Sequence, residues 1–283
     1  MRPPRPEDAP AVAELVNLHS PEPFDVVWVE RAWNEPGFDL EADARITDDA
    51  YVSLWDGRGG KAWLDLEGSP TPELLSWVEG RARERGLVRA LGGHWQGNVA
   101  VKALLEQAGY RLIRHSWRMR IALADVAEKP VWPEGIAVRT FRRGDERVFY
   151  DVHQESFADH WEHDEPEPYD EWAHWLLQPP AFQPELWFLA EEDGEPAGIE
   201  INHERSEEPG VGWIGILGVR REWRRRGLGR ALLLHAFHEF RARGLTEAGL
   251  GVDAASLTGA TRLYESVGMH VSAQYDFYEK QLK

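Results

Sequence analysis

No cysteine occurs among the 283 residues. Disulfides, thiolate metal sites and a cysteine nucleophile are therefore excluded. Long apolar runs are missing as well: none approaches the roughly 18 residues of a membrane-spanning helix. The opening Met1-Arg2-Pro3-Pro4-Arg5 is not followed by the apolar core of a signal peptide, so a cytoplasmic location is expected. Basic residues are in deficit, with 32 Lys and Arg against 49 Asp and Glu and a net charge of −17. Such a surface repels phosphate backbones and anionic headgroups, which argues against nucleic acid or a membrane as partner. It suits a cationic substrate, or is simply a solvated acidic exterior. What is abundant is tryptophan, 14 residues in a chain that is 42% hydrophobic, the mark of a folded protein with sizeable cores or aromatic pockets. The length holds one large domain or two of average size.

The chain repeats itself. Leu104-Leu105-Glu106-Gln107-Ala108-Gly109-Tyr110 corresponds to Leu263-Tyr264-Glu265-Ser266-Val267-Gly268-Met269, 159 residues on. Arg83-Glu84-Arg85-Gly86-Leu87 corresponds to Arg241-Ala242-Arg243-Gly244-Leu245 at an offset of 158. Two anchors at nearly one offset imply a tandem duplication. The segment Lys129 to Gly135, with Pro130, Pro133 and Gly135, reads as a linker between domains at 1–128 and 136–283.

In the second half the pattern predicts strands over 136–141, 186–191, 197–202, 211–219, 248–252 and 271–278. Helices are expected over 144–157, from Gly229 to Gly244, over 258–266, and within the Trp- and His-rich stretch 160–180. The order gives an α/β fold, a mixed central sheet flanked by helices, and the first half follows the same plan less clearly.

One turn concentrates charge against the global trend. Arginines 220, 221, 224, 225, 226 and 230 surround Gly227-Leu228-Gly229, between an apolar strand and an amphipathic helix. A glycine turn opening a helix offers unpaired N–H groups and the positive end of the helix dipole to an anion. Leu232 stands where a Rossmann fingerprint needs its third glycine, and no Lys-Ser/Thr pair follows to make a P-loop. What remains is R-x-x-G-x-G, from Arg224 to Gly229. About 25 residues later come Ala260, Leu263, Tyr264, Glu265 and Gly268.

This pair of segments resembles the GNAT superfamily of acyl-coenzyme A-dependent N-acyltransferases, with its Q/R-x-x-G-x-G/A turn and N-x-x-A-x-x-L-Y-E-x-x-G-F element. Leu257 departs from the family's Asn and Met269 from its Phe. The tandem arrangement is similar to that of mycothiol synthases. The resemblance implies acetyl-CoA as co-substrate, with no metal. Its diphosphate is expected on the backbone of Arg225, Arg226, Gly227, Leu228, Gly229 and Arg230, with Arg224 or Arg225 adding a side-chain contact. The pantetheine arm is expected along Leu217, Gly218 and Val219, and Tyr264 as proton donor to the departing thiolate. Trp213 stands where a basic carboxylate was sought, which leaves Glu200 as the candidate general base, with His203 behind it. His160, His163 and Asp164 have the spacing of a metal pair, but a polar aromatic loop is the expected reading. Trp161, Trp172 and Trp175 in that stretch suit an amine with an apolar body.

The first half has Leu105 opposite Tyr264, and Leu66-Glu67-Gly68-Ser69-Pro70-Thr71-Pro72 opposite the arginine turn. It is expected to lack catalysis. The expected activity is therefore acetyl transfer to a primary amine of a small molecule or peptide by one active site per chain, in a monomer or homodimer. The alternatives are a non-catalytic acyl-CoA sensor and a transferase acting on protein N-termini or lysines.

Overall fold

The computed structural model describes residues 1–161, 165–256 and 259–282. The chain forms two compact units, Met1–Trp117 with Ala273–Lys283, and Arg118–Ser272.

The N-terminal unit contains α1 (Ala9–His19), α2 (Val26–Trp33), α3 (Leu40–Asp43), β1 (Ala44–Ile46), β2 (Ala50–Gly57), β3 (Lys61–Gly68), α4 (Pro72–Glu84), β4 (Arg89–Trp95), α5 (Val99–Gln107) and the start of β5 (Arg111–Ala122). Its sheet runs β1-β2-β3-β4 and is continued by the chain's last strand. Thr71 caps α4 by accepting the Leu74 N–H, and Pro72 supplies the preset φ of the first turn. Leu74, Leu75, Val78 and Ala82 then fall on one face and bury against Val52, Leu54, Leu64 and Leu66, with Leu105 from α5 in the same core.

The second unit contains β6 (Ile136–Thr140), α6 (Glu146–Phe157), α7 (Tyr169–Leu176), β7 (Trp187–Glu192), β8 (Glu195–Glu204), β9 (Val211–Val219), α8 (Leu228–Ala242), β10 (Glu247–Asp253) and α9 (Ala260–Ser266), and the final strand β11 (His270–Gln281) begins in it. The order is β5-β10-β9-β8-β7-β6. Asp193 and Gly194, with φ of 53° and 84°, make the tight β7–β8 hairpin, whose twist needs two left-handed residues. On one sheet face, Ile199, Ile201 and Ile216 pack with Phe149 and Val152 of α6 and Trp172 of α7. On the other lies α8, whose Leu233, Ala236, Phe237 and Phe240 are buried. Each such phenylalanine contributes about 1.5–3 kcal/mol by leaving water. Gly244, at φ 84°, ends the helix while the Leu245 N–H bonds the Phe240 carbonyl.

The compact units do not divide at the expected linker, 129–135. One division falls within β5 and the other within β11. The cause is pairing: Tyr275–Gln281 lie antiparallel to Trp95–Arg89, so the chain's C-terminal end completes the N-terminal unit's sheet.

Both units share a feature that positions the site. The parallel pairing of β3 with β4 covers only Lys61–Leu64 against Arg89–Gly92. That of β9 with β10 covers only Val211–Ile214 against Glu247–Leu250. Beyond those residues each strand pair is unpaired, and the strand's open edge leads to the helix that follows it. Among the described residues no helix is long and apolar enough to cross a membrane.

Candidate active site

The open edge of β9 presents specific backbone groups. The Arg220 N–H bonds the Ala197 carbonyl at 3.0 Å. Alternation along an antiparallel ladder then directs Gly218 and Ile216 toward β8 and turns the N–H and C=O of Leu217 and Val219 to the side β10 has left. Pairing shifts from Ile201 with Ile216 to Asn202 with Ile214, so Gly215 is the extra residue of a bulge where the two parallel strands part.

At the end of β9 the turn into α8 takes a backbone form that leaves its N–H groups open. Arg225 and Gly227 hold left-handed backbone, with φ of 61° and 89°. Gly227 is the N-cap of α8, with no side chain to cap it. The N–H groups from Arg225 to Arg230 donate no bond to any of the described residues. They gather where the dipole of a 15-residue helix is positive.

The arginines around the turn do something other than crowd the anion. Arg224 pins the turn, donating to the carbonyls of Val219 and Ser156, each at 3.0 Å. Arg221 and Arg224 both pair with Asp159, Arg220 with Glu155, Arg226 with Glu192 and Arg230 with Glu128. The Arg226 guanidinium holds Glu192 down to about 2, with help from the Trp223 indole N–H, and Arg221 likewise lowers Asp159. Arg225 is exposed, and it alone of the six has no ion pair among the described residues. Of the two side chains expected to contact an anion, that of Arg224 is engaged by the protein itself.

A cavity of about 650 Å³ joins these parts, within the usual size range of ligand pockets. Its walls include Leu217 and Val219 of β9, the turn from Arg224 to Arg230, Ser156 of α6, and Leu263 and Tyr264 of α9. Ser156 was not foreseen from sequence; its hydroxyl is buried and has no partner. Gly218 makes room for it, since a Cβ there would stand 3.1 Å from the Ser156 Oγ.

Tyr264 is buried to 8% exposure, and burial, with the Glu200 charge second, raises its pKa well above the ordinary phenol value. Glu200 is wholly buried, with the Asn202 side chain as its polar neighbour. Burial pushes it up to about 8, tempered by Asn202. Gly198, two residues back on the same strand face, is placed to meet Leu228 of α8, whereas Ile199 and Ile201 face α6. Glu200 thus lies on the α8 face and reaches no solvent.

Trp213 lies flat over the sheet. The guanidinium of Arg205 sits 4.9 Å from its ring, those of Arg118 and Arg120 5.7 Å. Gly249 leaves the space, because a Cβ there would stand 2.8 Å from the indole. In the loop before α7, His160 reaches the cavity. His163 and Asp164, considered as its metal partners, lie outside the described residues. Trp172, expected among acceptor-facing aromatics, is instead wholly buried in the core, its indole N–H donating to His153 at 3.1 Å. Its place in α7 at helical spacing from Tyr169 and Leu176 turns it toward Tyr150 and Trp187.

The equivalent place in the N-terminal unit is closed by its own atoms. Thr71 occupies the Leu74 N–H, the Ser69 N–H bonds the Asp49 carbonyl at 2.8 Å, and Pro72 has no N–H to offer. Asn98, however, starts α5 and accepts from the Val101 N–H at 3.2 Å. It precedes Leu104-Leu105-Glu106 by the spacing at which the family's Asn precedes Leu-Tyr-Glu, a match visible in the sequence.

The Acetyltransferase (GNAT) family model matches residues 147–269, the span holding α6 through α9. Mycothiol acetyltransferase of Thermobispora bispora is 35% identical over 246 residues, 77% of this chain and 79% of that protein. The Streptomyces coelicolor enzyme of the same name is 30% identical and spans 95% of this chain and 94% of its own. The chain belongs to the GNAT acetyltransferase family. A solved GCN5-related N-acetyltransferase from Sphaerobacter thermophilus superposes with a TM-score of 0.80 at 34% identity, over 100% of this chain and 95% of that one. A tandem GNAT protein from the clavulanic acid biosynthesis pathway shares the fold, with a TM-score of 0.72 at 14% identity and coverage of 100% and 97%. The protein is thus a tandem GNAT N-acetyltransferase.

Proposed function

We propose that the C-terminal GNAT unit transfers the acetyl group of acetyl-CoA to a primary amine of a small molecule, by direct attack through a tetrahedral intermediate. The observation that carries this reading is the meeting, in one cavity, of an uncapped helix N-terminus, an open strand edge and Tyr264. The diphosphate is held by the N–H groups of Arg225 to Arg230 and by the Arg225 side chain. The pantetheine arm bonds Leu217 and Val219 beside Gly218. Their fixed N–H groups also polarise the thioester carbonyl and stabilise the charge that develops on its oxygen. The amine attacks, the C–N bond forms and the C–S bond breaks. Tyr264 gives its proton to the leaving thiolate. The amine's surplus proton leaves through the cavity, whose lining includes His160. Glu200, wholly buried and not among the residues lining the cavity, does not take the amine's proton directly. The names of the relatives favour a small-molecule acceptor over a protein lysine.

The test is thiol release from acetyl-CoA against a panel of amines, amino sugars, amino acids and peptides, with the product identified by mass. An acetylated small-molecule amine is expected. Acetyl-CoA binding without product from any acceptor or metabolite extract overturns the enzymatic part in favour of a sensor. Turnover of peptides alone overturns the small-molecule part.

A further inference from the structure

Ser156, the penultimate residue of α6, lines the cavity. It is 4% exposed, and its Oγ has no hydrogen-bond partner among the described residues. A serine in a helix can satisfy its hydroxyl on the carbonyl one turn back, which Ser156 does not do. A buried hydroxyl left in this way opposes folding, because its lost hydration is not replaced by another bond. Alanine would fill the same place without that penalty.

The position of this hydroxyl is set from two sides. Gly218 clears it, since a Cβ there would stand 3.1 Å from the Cβ and from the Oγ of Ser156. Arg224 staples the end of α6 to the end of β9, its Nη2 donating to the Ser156 carbonyl and its Nε to that of Val219, each at 3.0 Å. The hydroxyl therefore stands level with Gly218, between Leu217 and Val219, whose backbone groups face the open edge. Phe157, Leu217 and Val219 make the wall around it apolar. Serine has one side-chain torsion with staggered wells, and because this hydroxyl makes no bond, turning it from Gly218 into the cavity breaks none. The N-terminal unit, whose turn is closed, brings an apolar side chain to the corresponding glycine. There Gly68 ends β3, and a Cβ on it would stand 3.0 Å from the Cδ2 of Leu15 in α1.

We propose that Ser156 binds the pantetheine arm, its hydroxyl bonding an amide of the arm from the α6 side. The inference rests on the reading of this cavity as the acetyl-CoA site. A ligand that runs from the turn along β9 passes Gly218, and so passes this hydroxyl. The arm is a chain of amides joined by short apolar links, which matches one polar point in an apolar wall. An amide offers an N–H and a C=O, and a hydroxyl can serve either. The backbone of Leu217 and Val219 reads the arm from the strand edge, and Ser156 adds a contact from a second element. Arg224 acts through Ser156 as a positioning residue, because it fixes the end of α6 against β9.

Two ligands separate the arm from the diphosphate: coenzyme A, and its nucleotide part alone, 3′-phospho-ADP. Each is titrated calorimetrically into the wild type and into Ser156→Ala. The variant should bind coenzyme A about tenfold more weakly and the armless nucleotide as tightly as the wild type does. Its melting temperature should be equal or higher, since the hydroxyl it lacks bonds nothing in the protein. Lower affinity with undiminished stability is a pairing that a merely structural serine does not give. Equal affinity of variant and wild type for coenzyme A overturns the proposal. So does a loss shared by both ligands, or a fall in melting temperature. A wild type that does not bind coenzyme A overturns the reading of the cavity itself, and this proposal with it.

Discussion

Replacing Glu200 by glutamine should change how stability depends on pH, with a sign and size set by burial. The carboxyl is wholly buried, and desolvation, only partly offset by Asn202, raises its pKa from 4.5 to about 8. The folded state therefore holds this proton more tightly than the unfolded state. Below pH 4.5 both states are protonated and the group costs nothing extra. Between pH 4.5 and 8 the unfolded chain has lost the proton and the folded chain retains it. Stability then falls with rising pH by about 1.4 kcal/mol per unit. Across the window this amounts to on the order of 3–5 kcal/mol, and above it the loss is complete. Glu200→Gln removes this slope, so the stability of wild type minus variant should fall steadily through the window and level off beyond it. Asp65 and Glu67 of the N-terminal unit are also raised by burial, but they are common to both proteins and cancel in the difference. Urea titrations at half-unit pH steps, read by tryptophan emission, measure it. Parallel curves for the two proteins from pH 4.5 to 8 refute the burial argument.

Arg225 has no ion pair among the described residues, so Arg225→Ala should weaken acetyl-CoA binding about tenfold in calorimetry while leaving the melting temperature unchanged. Arg224→Ala should do the reverse in emphasis, lowering thermal stability because three of its contacts pin β9, α6 and Asp159; an unchanged melting temperature contradicts that role. Thr71→Ala should cost about 1 kcal/mol through the lost cap and leave acetyl-CoA affinity as it was. A change in affinity there would mean that the N-terminal turn binds the ligand after all.

The strings that placed the site are local ones. Gly227 takes the left-handed cap of α8, and Leu263-Tyr264-Glu265 lies within one short helix, so both could be read before any fold was known. The arginines misled because their partners are tertiary: Glu192 and Glu128 lie 34 and 102 residues away, and nothing local shows that they neutralise Arg226 and Arg230. Period-2 reasoning put Glu200 on a strand but could not say which face, and the face decides between solvent and sealed core. The division of the units was hidden for a similar reason. Pro130, Pro133 and Gly135 look like a linker, whereas the pairing of Phe277 with Gly93 is a long-range register that composition does not encode.

The central claim is that one of two duplicated units keeps an open anion turn and the other has closed it. Calorimetric titration with acetyl-CoA tests it most directly. One molecule should bind per chain, and binding should be lost in Gly227→Val, whose branched side chain is strained at φ 89° although nothing lies within 4 Å of its Cβ. Two molecules per chain, or one that binds Gly227→Val as tightly as the wild type, would contradict the account.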